Sequence, residues 1–145
     1  VLHVLFARPD ELDGHARHLL GDEDGLRHVV GAVAPAEAAV KIQGDAGKFP
    51  GIAISELSAD QKKLVEQTLK TLFAPYRTED VDEVFEIVKA SGGVDKLHLA
   101  FYQQGDLGND KVWDIWRVEG PSLVWHFRGA PHVHAYINIG SIKAS

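Results

Sequence analysis

The chain has neither cysteine nor methionine among its 145 residues. Without cysteine there is no disulfide, no thiolate ligand and no sulfur nucleophile, so a metal would have to sit on histidine, carboxylate, tyrosine or backbone oxygen. The missing methionine extends to position 1, which is Val1, and leads us to expect one domain over residues 1–145 that is a processed or trimmed part of a longer protein. Positive charge is also scarce, with 15 Lys and Arg against 21 Asp and Glu and a net charge of −6. Nucleic-acid domains concentrate excess Lys and Arg, and the basic residues here are scattered, so no nucleic-acid partner is expected. No apolar run approaches the roughly 20 residues of a membrane span, and the opening VLHVLFARPDE is too short and wrongly flanked for a secretory signal. A GxSxG nucleophile signature is absent. The glycine-rich GDAGKFPG does not match a phosphate loop, because Phe49 follows Lys48.

What the chain does have is 45% apolar residues, enough for one core at this length. The first 45 residues show little periodicity beyond a possible helix from about Asp10 to Leu20 and a glycine-flanked acidic turn, GDEDG. Two helices then carry clear start signals. Ser58 followed by Gln61 reads as a capping box ahead of the stripe Leu64, Val65, Leu69, Leu72 and Phe73, with Pro75 as the stop. The second begins at Thr78, has Glu79 and Asp80 in its first turn, buries Val81, Val84, Phe85 and Val88, and ends at Gly92 and Gly93.

Beyond Gly93 the period changes to two. Strands are expected at Lys96–Gln103, Val112–Glu119, Ser122–Arg128 and His132–Ile139. The short links at Gly120–Pro121 and RGAP force antiparallel neighbours. The expected fold is α+β, a helical N-terminal half packed on a C-terminal antiparallel sheet of about four strands.

The sharpest chemical feature is the pair His132 and His134 in the last expected strand. Residues two apart leave the same face, so both imidazoles can address one ion. Alternation puts them with Tyr136 and Asn138, opposite Val133, Ala135, Ile137 and Ile139. If the non-core faces coincide, His98, Tyr102, Asp114 and His126 join them. His132, His134, His126 and His98 are therefore the candidate metal ligands, and histidine ligation suits zinc or copper better than magnesium or calcium. Asp114 and Tyr136 are candidates for orienting an imidazole, and Arg128, in HFRGAPH, for gripping a carboxylate or phosphate. His15 and His18, three apart on a helix, lack a nearby third ligand and are expected in solvent. No Glu follows the HxH pair at the spacing of a cupin. Two functions follow: a metal-dependent protein, possible as an oxidoreductase or hydrolase, or a non-catalytic subunit or fragment of a larger assembly. A third is an anion or sugar binder using Arg128 and the tryptophans.

From Phe49 onward, the segments FPGIAISELSADQKKLV, GGVDKLHLAFYQQGD, WDIWRVEGP and VWHFRGAPHVHAYINIG resemble the C-terminal part of the bacterial domain-of-unknown-function family 3500. The closing motif departs from the commoner family form, an acidic strand followed by HxHxxxR: Val124 and Trp125 stand at the acidic positions and no Arg follows His134. Members of that family are generally longer and often carry export signals. The resemblance thus implies a bacterial periplasmic or extracellular location, and a partner in the rest of the precursor or in a homo-oligomer. It implies no particular chemistry.

Overall fold

The structure, a computed structural model, describes residues 36–102 and 114–141. The helix expected over residues 10–20, the GDEDG turn, His15, His18 and Trp113 lie outside the described residues.

Helix α1 spans Ala59–Phe73. Its start is the capping box read in the sequence: the Gln61 amide donates to Ser58 Oγ at 3.3 Å, and the Ser58 amide donates to the Gln61 side chain at 2.9 Å. Val65, Leu69, Leu72 and Phe73 are buried along one stripe. Ser58→Ala removes one of these two bonds and is expected to cost about 1 kcal/mol in urea unfolding, with unchanged spectra of the native state. Helix α2 spans Thr78–Ala90, with Arg77 at its N-cap paired to Asp80 at 2.8 Å. It closes in a Schellman arrangement, in which the Gly93 amide donates to the Val88 carbonyl and the Gly92 amide to that of Lys89. Gly92, at φ +105°, takes the left-handed position that a side chain resists.

Among the described residues the sheet is antiparallel and its five strands lie in chain order: β1 (Ile52–Ala53), β2 (His98–Phe101), β3 (Ile115–Glu119), β4 (Leu123–Arg128) and β5 (His134–Ile139). The fold is α+β, with one more strand than expected. Strand β1 has only two residues, paired Ile52↔Leu99 and Ala53↔His98, too few to show a period in sequence. The last strand begins at His134, so His132 lies in the connection before it, after the cis Ala130–Pro131 bond.

One sheet face packs on the helices. Leu99, Phe101, Trp116, Val118, Leu123, Trp125, Phe127 and Ala135 join Val65, Leu69, Leu72, Phe73 and Val88 in a single core. Trp116 and Trp125 meet edge to face with ring centroids 4.3 Å apart, and Phe127 stacks on Trp116 at 5.1 Å. The two tryptophans are diagonal neighbours, since Trp116 is opposite Phe127 and Trp125 opposite Val118. No helix among the described residues is long and apolar enough to cross a membrane.

Candidate functional site: a polar sheet face under a strap

Strand pairing arranges the second face in rows. Across β2 to β5, His98, Glu119, Val124 and Asn138 form one row, and Ala100, Arg117, His126 and Tyr136 the next. Ile115, Arg128 and His134 continue the third. This face is not solvated: Arg117, Glu119 and His126 are only 4%, 3% and 1% exposed. Polar groups so deep must find partners within the protein.

Part of the cover is the extended stretch from Ala36 to Pro50, here termed the strap. The Asn138 side-chain amide donates to the Val40 carbonyl at 3.1 Å, and the Gly44 amide donates to that of Pro121 at 3.1 Å. Phe49 lies against the His98 ring with centroids 5.7 Å apart. Where the strap ends, Gly51 passes the β2 backbone at φ +90°, and a Cβ there would overlap the Leu99 carbonyl oxygen.

The densest polar contacts involve Glu37, in a single 3-10 turn (Glu37–Ala39) of the strap. Arg128 Nε donates to its carboxylate at 2.5 Å and Tyr136 Oη at 3.0 Å. His134 Nδ1 lies 3.0 and 2.9 Å from the two carboxylate oxygens and 2.6 Å from Arg128 Nη2. A proton on Nδ1 is donated to Glu37, while a bare Nδ1 accepts from Arg128. Burial raises the Glu37 pKa, but the bonds from His134, Arg128 and Tyr136 prevail and hold it at about 2. The carboxylate is thus ionised at neutral pH.

Beside this clamp, Arg117 Nε donates to His126 Nδ1 at 2.9 Å, Arg117 Nη2 donates to the Ala36 carbonyl at 3.4 Å, and Nη1 lies 3.7 Å from Glu119. Burial and the adjacent Arg117 charge push His126 down to about 4, so it is neutral near pH 7 with its ring proton on Nε2. Burial pushes the Glu119 carboxyl up, against the pull of Arg117 and a hydrogen bond from Gln43. Among the described residues, the buried Tyr102 Oη and His98 Nδ1 meet no hydrogen-bond partner, and burial raises the Tyr102 hydroxyl to about 12.

The expected site residues are therefore only partly gathered. His134, Tyr136 and Arg128 meet at Glu37, a residue that sequence reasoning did not single out. His132 is exposed, with its ring edge to face against His134 at 4.5 Å between centroids. His126 is in the adjacent row, with Nδ1 taken by Arg117. His98 is on β2, two strands from His126 and hence roughly 10 Å away across the sheet. Asp114 precedes β3 and accepts the Gly129 amide at its backbone carbonyl, so it is Arg117, not Asp114, that faces His126. Among the described residues, no group of three or more His, Asp or Glu is placed to hold a metal ion. No family model, curated protein or solved structure matches the chain.

Proposed function

We propose that this chain is a non-catalytic module of a larger bacterial envelope protein or assembly, and that the β4–β5 end of its sheet clamps an upstream segment by its carboxylate. The observation that carries this reading is the use of Arg128, His134 and Tyr136 together on Glu37. A base or nucleophile poised for substrate would have a free reactive atom, whereas these donors hold an internal partner. The motif resemblance supports the envelope setting and a longer precursor. Glu37→Ala is expected to lower stability by about 2 kcal/mol in urea unfolding, because the charge-assisted bonds from Arg128 and Tyr136 go, with that from His134 when Nδ1 carries the proton, and Arg128 loses its counter-charge. A Glu37→Ala protein as stable as the parent would remove the clamp reading.

A second reading, a zinc- or copper-binding protein with an open coordination position, is favoured by the 4.5 Å approach of the His132 and His134 rings at an exposed strand end. In that reading His134 turns from Glu37 toward the ion, and the carboxylate or His126 supplies a third ligand. Elemental analysis of protein purified without chelator separates the two. A full equivalent of zinc or copper, lost in His132→Ala, establishes the metal site, and less than a few tenths of an equivalent leaves the clamp.

A further inference from the structure

We propose that Arg128, His134 and Tyr136 form a carboxylate-binding site which Glu37 fills as an internal ligand and which, when the strap lifts, takes the carboxylate of a free organic acid or a peptide C-terminus. The inference presupposes that Glu37 anchors the strap, and it adds that the anchor is exchangeable.

The donor set is that of a recognition site. A guanidinium, an imidazole and a phenol converge on one carboxylate, and all three are carried by the paired strands β4 and β5 rather than by the strap. Arg128 is braced from behind, its Nη1 donating to the Ala130 carbonyl at 3.0 Å. Such bracing fixes the fork, so little side-chain entropy is lost when a carboxylate arrives. The occupied site is also open to water, with Glu37 and His134 each 30% exposed at the side chain. An incoming acid thus meets the clamp without the sheet unfolding.

Among the described residues, the strap is held by few contacts that bury apolar surface. Of the side chains described between Ala36 and Gly51, every one is exposed or half-buried. Among the described residues its attachment is chiefly polar: the Glu37 bonds, the Asn138 and Arg117 bonds to its carbonyls, the Gly44 amide and the Gln43 bond to Glu119, with Phe49 on the His98 ring as the apolar contact. Each neutral bond among these exchanges for one to water at a net cost of about 1 kcal/mol and each bond to a charged group at about 1.5–3 kcal/mol, whereas β3 and β4 carry the aromatic core. The strap, which contributes no residue to the core, therefore opens at lower cost than β3 and β4.

The test titrates sodium acetate and N-acetyl-Ala-Ala, at ionic strength held constant with sodium chloride, into the whole chain and into Glu37→Ala, following the His134 ring resonances by NMR. Glu37→Ala is expected to bind acetate at least about ten-fold more tightly than the parent, because no internal carboxylate competes. Adding Arg128→Gln to Glu37→Ala should abolish that gain. Tighter binding of the peptide than of acetate assigns the site to a polypeptide C-terminus, and equal binding assigns it to small acids. Folded Glu37→Ala that gives no saturable response to either, or the same response to chloride, overturns the proposal. Loss of stability in Glu37→Ala without acetate binding refutes the exchange alone, and unchanged stability refutes the clamp as well. If Glu37→Ala does not fold, hydrogen exchange on the parent decides: strap amides from Val40 to Gly44 should exchange at least about a hundred-fold faster than those of β3 and β4, and faster still in acetate. Equal protection of strap and sheet overturns the proposal.

Discussion

Arg117→Ala is expected to destabilise the protein by about 3–5 kcal/mol, more than any single change at the Glu37 clamp. Arg117 is 4% exposed, and its guanidinium stands between His126 and the 3%-exposed Glu119. Truncation leaves a carboxylate in the interior without its counter-charge and His126 Nδ1 without its donor. The buried aliphatic stem, between the cross-strand neighbours Ala100 and His126, contributes to the loss as well, and Arg117→Met keeps that volume while removing the charge. If the unpaired charge dominates, Arg117→Met costs nearly as much as Arg117→Ala. Arg117→Met combined with Glu119→Gln then recovers much of the loss, since neither charge remains. Urea unfolding followed by the fluorescence of buried Trp116 and Trp125 measures all four proteins. A double variant no more stable than Arg117→Met would mean that Glu119 is not the group left stranded.

The helices and the meander were legible because each rests on local signals. Ser58 with Gln61 marks a start, Gly92 and Gly93 mark a stop, and Gly120–Pro121 permits only a tight reversal. Strand β1 was not legible, since two residues carry no period and their pairing is set by the β2 backbone. Alternation also separated Val133, Ala135, Ile137 and Ile139 from the polar set on β5, yet it could not tell a solvated polar face from one under a strap. On β3 both alternating sets contain large apolar residues, Trp113 and Ile115 against Trp116 and Val118. Period two was therefore silent about which set faces the helices, and Asp114 was grouped with the histidines where Arg117 belongs. Glu37 escaped for another reason. It is 91 residues from Arg128 and 97 from His134, in the alanine-rich APAEAAV, and only tertiary structure brings it to the clamp. The sole local sign was an isolated acidic side chain in a segment otherwise without charge.

Acid should unfold the protein in two overlapping stages, with His126 setting the first. Burial, with Arg117 next in weight, holds the folded-state pKa of His126 at about 4, against 6.5 for an unperturbed histidine. A depressed histidine pKa means that the unfolded chain binds the proton first. Stability is thus fully present above pH 6.5 and is lost as pH falls from 6.5 to about 4, by roughly 3 kcal/mol for this group. Glu37 governs the second stage. Its folded pKa of about 2 lies below the usual 4.5, so its contribution is present above 4.5 and lost as pH falls from there toward 2. Glu119 works in the opposite sense: burial raises its pKa, so the folded state takes up that proton before the unfolded one and partly offsets the loss on acidification. The separable variants are His126→Asn, whose side-chain oxygen still accepts from Arg117 but does not titrate, and Glu37→Gln. Plots of unfolding free energy against pH should lose most of their slope between 6.5 and 4.5 in His126→Asn and keep it in Glu37→Gln. Below 4.5 the assignments reverse. A His126→Asn profile parallel to that of the parent between 6.5 and 4.5 would show that His126 is not the neutral, Arg117-bonded group at the centre of this face.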